Sequence, residues 1–176
     1  MKRFTKLLLL FTLIGVVSGG CELLRGVKFD ESYYYVFTIN PTEAGEYNFD
    51  EEVITTDIQQ VLDDNNIKEK KLESVVIKEI TATIQQGSHI TTFDILNSGN
   101  ITMHGEGMSV VTVAWWPDPV PASVSTVKLD HNTDNLKDHL LSGKLYFAGS
   151  GILNAAHGGT SMVRVDVIFE LNGKII

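Results

Sequence analysis

The chain has 176 residues, 43% hydrophobic and 20% charged, with 14 Lys or Arg against 22 Asp or Glu and a formal charge of −8. That length can bury one substantial core, and the acidic balance disfavours nucleic acid and anionic headgroups as partners. A single cysteine excludes an internal disulfide, so stability must come from packing.

The chain opens with Lys2, Arg3 and Lys6, then an apolar run from Leu7 to Val17, the small residues Ser18-Gly19-Gly20, and Cys21. This arrangement resembles a bacterial lipoprotein signal peptide. A cationic start stays on the cytoplasmic side, the apolar run enters the bilayer, and small residues admit a peptidase ahead of the cysteine. The resemblance implies that residues 1–20 are removed and that Cys21 becomes the acylated first residue of a protein in the cell envelope, held at the outer or inner membrane. Ser18 stands where such signals commonly carry leucine. The competing reading is an ordinary secretory signal cut near Gly19 or Gly20. The uncharged run is shorter than the ~20 apolar residues of a stable span. Loss of its three basic residues leaves 11 basic against 22 acidic ones, a formal charge of −11. Membrane attachment is therefore expected through lipid rather than through charge.

Residues 21–28 form a short tether, and 29–176 are expected to form one domain. At ~3.3–3.6 Å per residue the tether holds that domain within roughly 25–30 Å of its membrane. Ser32 to Ile39, dense in aromatic and β-branched residues, predicts a strand ending at Asn40-Pro41. A loop containing Gly45 follows. Over Glu51 to Asp64, Ile54, Ile58, Val61 and Leu62 recur at helical spacing and predict a helix ending at Asp63-Asp64-Asn65-Asn66. Leu72 to Gln86 returns to β character with apolar residues on both parities, which predicts a bulge or two partly covered faces. Ile90 to Leu96 and Ile101 to His104 read as a hairpin about Asn97-Ser98-Gly99-Asn100.

Ser109 to Trp116 is the strongest strand signal and stops at Pro117-Asp-Pro119-Val-Pro121. Val124 to Leu129 predicts another strand. Asp134 to Leu141 predicts a second short helix with Asn132 or Asp134 as its cap. Lys144 to Ala148 and Met162 to Leu171 complete the strands; in the last, Val163, Val165, Val167 and Phe169 fall on one side and Arg164, Asp166, Ile168 and Glu170 on the other. The fold class expected is mainly β: an antiparallel immunoglobulin-like β-sandwich of seven or eight strands with two short crossover helices.

Motifs for nucleophilic, zinc or nucleotide chemistry are absent from the sequence. Asp130 to Asp138 begins like a calcium loop, but Asn135 stands at the glycine position and Leu141 at the bidentate glutamate position, so helix capping is the better account. The five histidines, His89, His104, His131, His139 and His157, have no metal-ligand spacing. No cofactor, metal or catalytic residue is expected. Trp115 and Trp116 should point to opposite faces of their strand, leaving one indole able to stack on a sugar or grip a partner. Gly149 to Gly159 reads as a mobile connection in which Ile152, Leu153 and His157 could meet a partner. Tyr33, Tyr34 and Tyr35 are better explained by packing.

These features lead us to expect a non-enzymatic, lipid-anchored envelope protein that binds a protein or glycan. A second expectation is a periplasmic carrier whose layers part around an apolar molecule, signalled by an interior of several hundred Å³. A hydrolase, which needs titratable side chains converging in one cleft, is a weaker third.

Overall fold

Strict alternation makes the clearest element: in β9 (Ser161–Lys174), Val163, Val165, Val167, Phe169 and Leu171 are all buried, and the residues between them are not. The computed structural model describes residues 26–40 and 43–175; Cys21 and the signal segment lie outside them. β9 is flanked by β1 (Gly26–Ile39) and β3 (Leu72–Ile84), and β3 is edged by the short β6 (Thr126–Lys128), giving sheet A in the order β1-β9-β3-β6. Sheet B runs β2-β8-β4-β5-β7, from β2 (Gly45–Thr55), β8 (Lys144–Leu153), β4 (Leu96–Gly105), β5 (Val111–Trp115) and β7 (Asp130–His131). All the pairings are antiparallel, and the two sheets form a β-sandwich.

The described residues contain nine strands: β2 and β7 join those expected, while the segment from Ile90 to Ile95 forms no strand. The chain leaves β3 after Lys128 and joins β5 at Asp130, so one strand bridges the edges of both sheets. Buried Leu129 marks the crossing, and its N–H donates to the Ile80 carbonyl at 2.9 Å. Helices α1 (Ile58–Asp64) and α2 (Lys137–Leu141) close one end, contributing Ile58, Leu62 and Leu140 to the core, with Leu136 just before α2. Gly26, paired with Lys174, lies at that same end. The connections Gln85–Ile95, Trp116–Ser125 and Asn154–Thr160 lie at the opposite end.

Several expectations change. Gly26 to Lys28, expected within the tether, belong to β1 and pair with β9; the rest of the expected tether lies outside the described residues. Residues 51–55 are not helical. Tyr47 and Phe49 turn inward, a bulge between Phe49 and Glu52 shifts the parity, and Glu52 and Ile54 become the next half-buried residues of β2. The spacing of Ile54 from Ile58 spans a strand–helix junction. In β3 a bulge between Ile77 and Glu79 has the same effect: Val75 and Ile77 are buried before it and Ile80, Ala82 and Ile84 after it, which accounts for the two parities.

The Asn97-Ser98-Gly99-Asn100 turn does not form, and Gly149 to Leu153 is strand rather than loop. Both departures have one cause. A Cβ on Gly99 would stand 2.8 Å from the Ser150 carbonyl oxygen and 3.2 Å from the Trp116 ring. On Gly149 it would meet Phe49 Cδ2 at 2.7 Å and the Asn100 carbonyl oxygen at 2.8 Å. These glycines make room for aromatic rings against strand backbone and do not mark turns. Neither Asn132 nor Asp134 caps α2: its N-cap position is Leu136, without a side-chain cap bond, and just before it the Asn135 Oδ1 accepts from the N–H groups of Val75 and Lys137.

Candidate functional site

The outward faces of the two sheets differ in chemistry. Sheet A pairs its own charges: Lys28 with Glu170 at 2.6 Å, Lys128 with Glu79 at 2.8 Å and Arg164 with Asp166 at 2.6 Å. The Arg164 guanidinium also covers the Tyr34 ring, 4.1 Å from its centroid. Such a face is satisfied by itself and by water.

Sheet B carries few charges on its upper half, towards the end away from Gly26. Register sets side chains in a transverse row: Asn48 lies opposite Ser150, Ser150 opposite Asn100, Asn100 opposite Trp115, and Trp115 opposite Asp130. The Asn100 amide donates to the Ser150 hydroxyl at 3.2 Å. One row higher, Ile152 stands between Glu46 and Ser98. Apart from Asp130, these residues line an open depression of about 450 Å³. On its other side the Trp115 indole borders a second depression of about 550 Å³ beside Lys128, Asp130 and His131. Lower on the same face the His104 ring stacks on Tyr146 at 4.6 Å, with its Nε2 3.2 Å from Glu51.

Of the residues singled out from sequence, Trp115 and Ile152 meet in this depression, 41% and 44% exposed. Their chain neighbours cannot. Trp116 and Leu153 are 4% and 3% exposed and point into the core, as alternation requires of adjacent strand residues. A direct partner contact by either is thereby corrected. His157 lies in the Asn154–Thr160 connection, edge-on to His89 at 6.2 Å, and does not line the depression. Sequence reasoning missed Asn48, Asn100 and Ser150. Each is a polar residue set between inward neighbours, a pattern visible only once the strand is recognised.

Between the sheets, Phe37, Phe49, Phe93, Trp116 and Leu153 border a void of about 10 Å³, room for about one water. A carrier would need the sheets to part far beyond that. Among the described residues, no cluster of three metal-ligating side chains occurs.

A titratable cluster lies at the sandwich edge near α1. The Tyr33 hydroxyl donates to Asp57 at 2.9 Å, and burial followed by that bond pushes its pKa well above the phenol range. Burial raises the Glu31 carboxyl, the Ser32 backbone partly opposes this, and the Asp57 charge adds to the rise. A carboxyl raised on folding binds protons more tightly in the native state, so it costs stability as pH climbs through and above the carboxylate range. Glu31→Gln should therefore raise the melting temperature at pH 7 and have little effect below the carboxylate range. An unchanged difference across a pH series of melting curves would contradict this.

No protein-family model matches the sequence, and no curated protein matches it. Among solved structures, the chain is similar to the decameric BFDV capsid protein at 13% identity, covering 84% of this chain and 99% of that one with a TM-score of 0.38. It is similar to turnip yellow mosaic virus at 8% identity, covering 86% and 97%, with a TM-score of 0.32. A carbohydrate-binding module of the β-sandwich superfamily aligns at 8% identity over 87% of this chain and 57% of the module's chain, with a TM-score of 0.32.

Proposed function

We propose that this chain is a lipid-anchored cell-envelope protein, acylated at Cys21, whose sandwich binds a protein or glycan partner without catalysis through the upper outer face of sheet B. The observation that carries the binding reading is the transverse row ending at Trp115: a half-exposed indole beside uncharged hydrogen-bonding side chains, all held on paired strands. Sites on strands are preorganised, so little ordering entropy opposes association. An aromatic anchor with a polar surround is the composition that dominates binding energy at recognition surfaces.

The anchor and this face suit one another. Four residues separate Cys21 from Gly26, a reach of about 16–18 Å at ~3.3–3.6 Å per step. The end carrying Gly26 would ride against the bilayer, leaving the row on the half of the sandwich turned away from it. Two lipid signals make such an attachment stable, where one chain alone is marginal.

Metabolic labelling with a palmitate analogue is expected to tag the full chain and to leave Cys21→Ser untagged. Label on Cys21→Ser, or a full chain that takes up none, would refute the anchor. The binding reading is tested with the Cys21→Ser chain lacking the signal segment, residues 21–176, which should sediment with isolated envelopes and lose that property on Trp115→Ala.

A further inference from the structure

We infer that the occupant of the sheet B depression is a neutral glycan of more than one sugar ring. This rests on the binding reading above and goes beyond it by naming the chemistry recognised.

The row from Asn48 to Trp115 crosses β2, β8, β4 and β5, three strand spacings or about 14 Å. Along it lie amides and a hydroxyl, with the Ser98 hydroxyl one row above. Amides and hydroxyls both donate and accept, which is what a ring bearing several hydroxyls requires of its partner. The Asn48 side chain makes no hydrogen bond among the described residues, so its donors and acceptor are available. Trp115 offers a flat apolar face of the kind that packs on the C–H face of a sugar, and its two flanking depressions leave the ring approachable from both sides.

Charge selects among glycans. Glu46 is the one charged residue lining the depression, Asp130 stands just beyond the indole, and no Lys or Arg lines it. The chain as a whole carries −8. Lys128, beyond the indole, is already paired with Glu79 at 2.8 Å and faces Asp130 across its depression, so a polyanionic sugar would meet net repulsion. The apolar area argues against a protein partner, because Trp115 and Ile152 stand on different strands and rows with polar side chains between them, whereas protein hot spots pack apolar anchors together and exclude water.

The test uses the Cys21→Ser chain without the signal segment, residues 21–176, in two arms. In the first, isolated envelopes are treated with periodate, which cleaves vicinal diols, or with protease. Periodate should abolish co-sedimentation, protease should spare it, and raising salt from about 0.1 M to 1 M should leave it unchanged, since screening does not weaken a neutral contact. In the second, native gels are cast with soluble starch, hydroxyethylcellulose, galactomannan or xylan, and with alginate as an anionic control. Retardation by one or more neutral polymers, and none by alginate, is expected.

Trp115→Ala should weaken either form of binding roughly tenfold or more, and Asn100→Ala should weaken it while unfolding at the same temperature as its parent. Binding confined to the envelope arm indicates a glycan of the cell itself; binding confined to the gels indicates one from outside it. Trp115-dependent envelope binding that protease destroys and periodate spares overturns the glycan inference and leaves the face as a protein-binding site. Binding in neither arm, or binding indifferent to Trp115→Ala, overturns both.

Discussion

Trp116→Ala should cost about 3–5 kcal/mol of folding stability, while Trp115→Ala, one residue earlier, should change it by no more than about 0.5 kcal/mol and remove partner binding. The indole of Trp116 is 4% exposed and meets Phe49 and Phe93 edge-on, each with ring centroids 6.3 Å apart. Its removal would leave a large cavity beside an existing void of about 10 Å³, where rigid strands on both sides limit collapse. One feature moderates the loss. The buried Trp116 Nε1 has no hydrogen-bond partner among the described residues, and deleting an unsatisfied donor returns about 1–3 kcal/mol. The measured cost should therefore fall at the lower end of the range, and Trp116→Phe should recover most of it.

Urea unfolding of the two alanine variants and their parent gives the comparison directly. Iodide quenching gives an independent check, because these are the chain's two tryptophans. The parent should show one accessible and one protected emitter, and Trp115→Ala only the protected one. Equal destabilisation by the two substitutions would reverse the faces assigned to them and take the site away.

The parts of the fold that could be read from sequence are those whose neighbours along the chain carry the signal. In β9 one face is buried throughout, so the period of two survives from Val163 to Leu171. The opposition of Trp115 and Trp116 follows from the same pleat. Which of them faces out depends on the pairing of Asn100 with Trp115, set by two distant segments and by a bulge between Ile101 and Thr102. β2 was hidden by its bulge, which breaks the alternation, and by the chance helical spacing of Ile54 with the true helix residues Ile58, Val61 and Leu62. The candidate site was legible at its apolar members alone. Serine and asparagine next to glycine read as turn chemistry, and only the register shows that Ser150 and Asn100 are neighbours on one face.

Gly99→Ala should lower stability by about 1–3 kcal/mol and weaken binding as well, although the residue's own Cα substituent would point away from any ligand. The added methyl meets the Ser150 carbonyl oxygen at 2.8 Å and the Trp116 ring at 3.2 Å. The first is backbone and cannot swing aside. The strain can be relieved only by moving β4 away from β8 or by displacing Trp116. Either movement reaches the opposite face, because Ser98 and Asn100 flank Gly99 and Asn100 sits between Ser150 and Trp115 in the row. Gly149→Ala strains the same sheet, with Phe49 and the Asn100 carbonyl oxygen as the clashing atoms. The aromatic packing inside and the depression outside thus share one stretch of backbone, and its lack of inward side chains is what permits both. Urea unfolding and co-sedimentation of Gly99→Ala, beside Trp115→Ala, separate the two roles. A variant that loses stability yet binds at full strength would show that the recognition face is independent of the packing behind it.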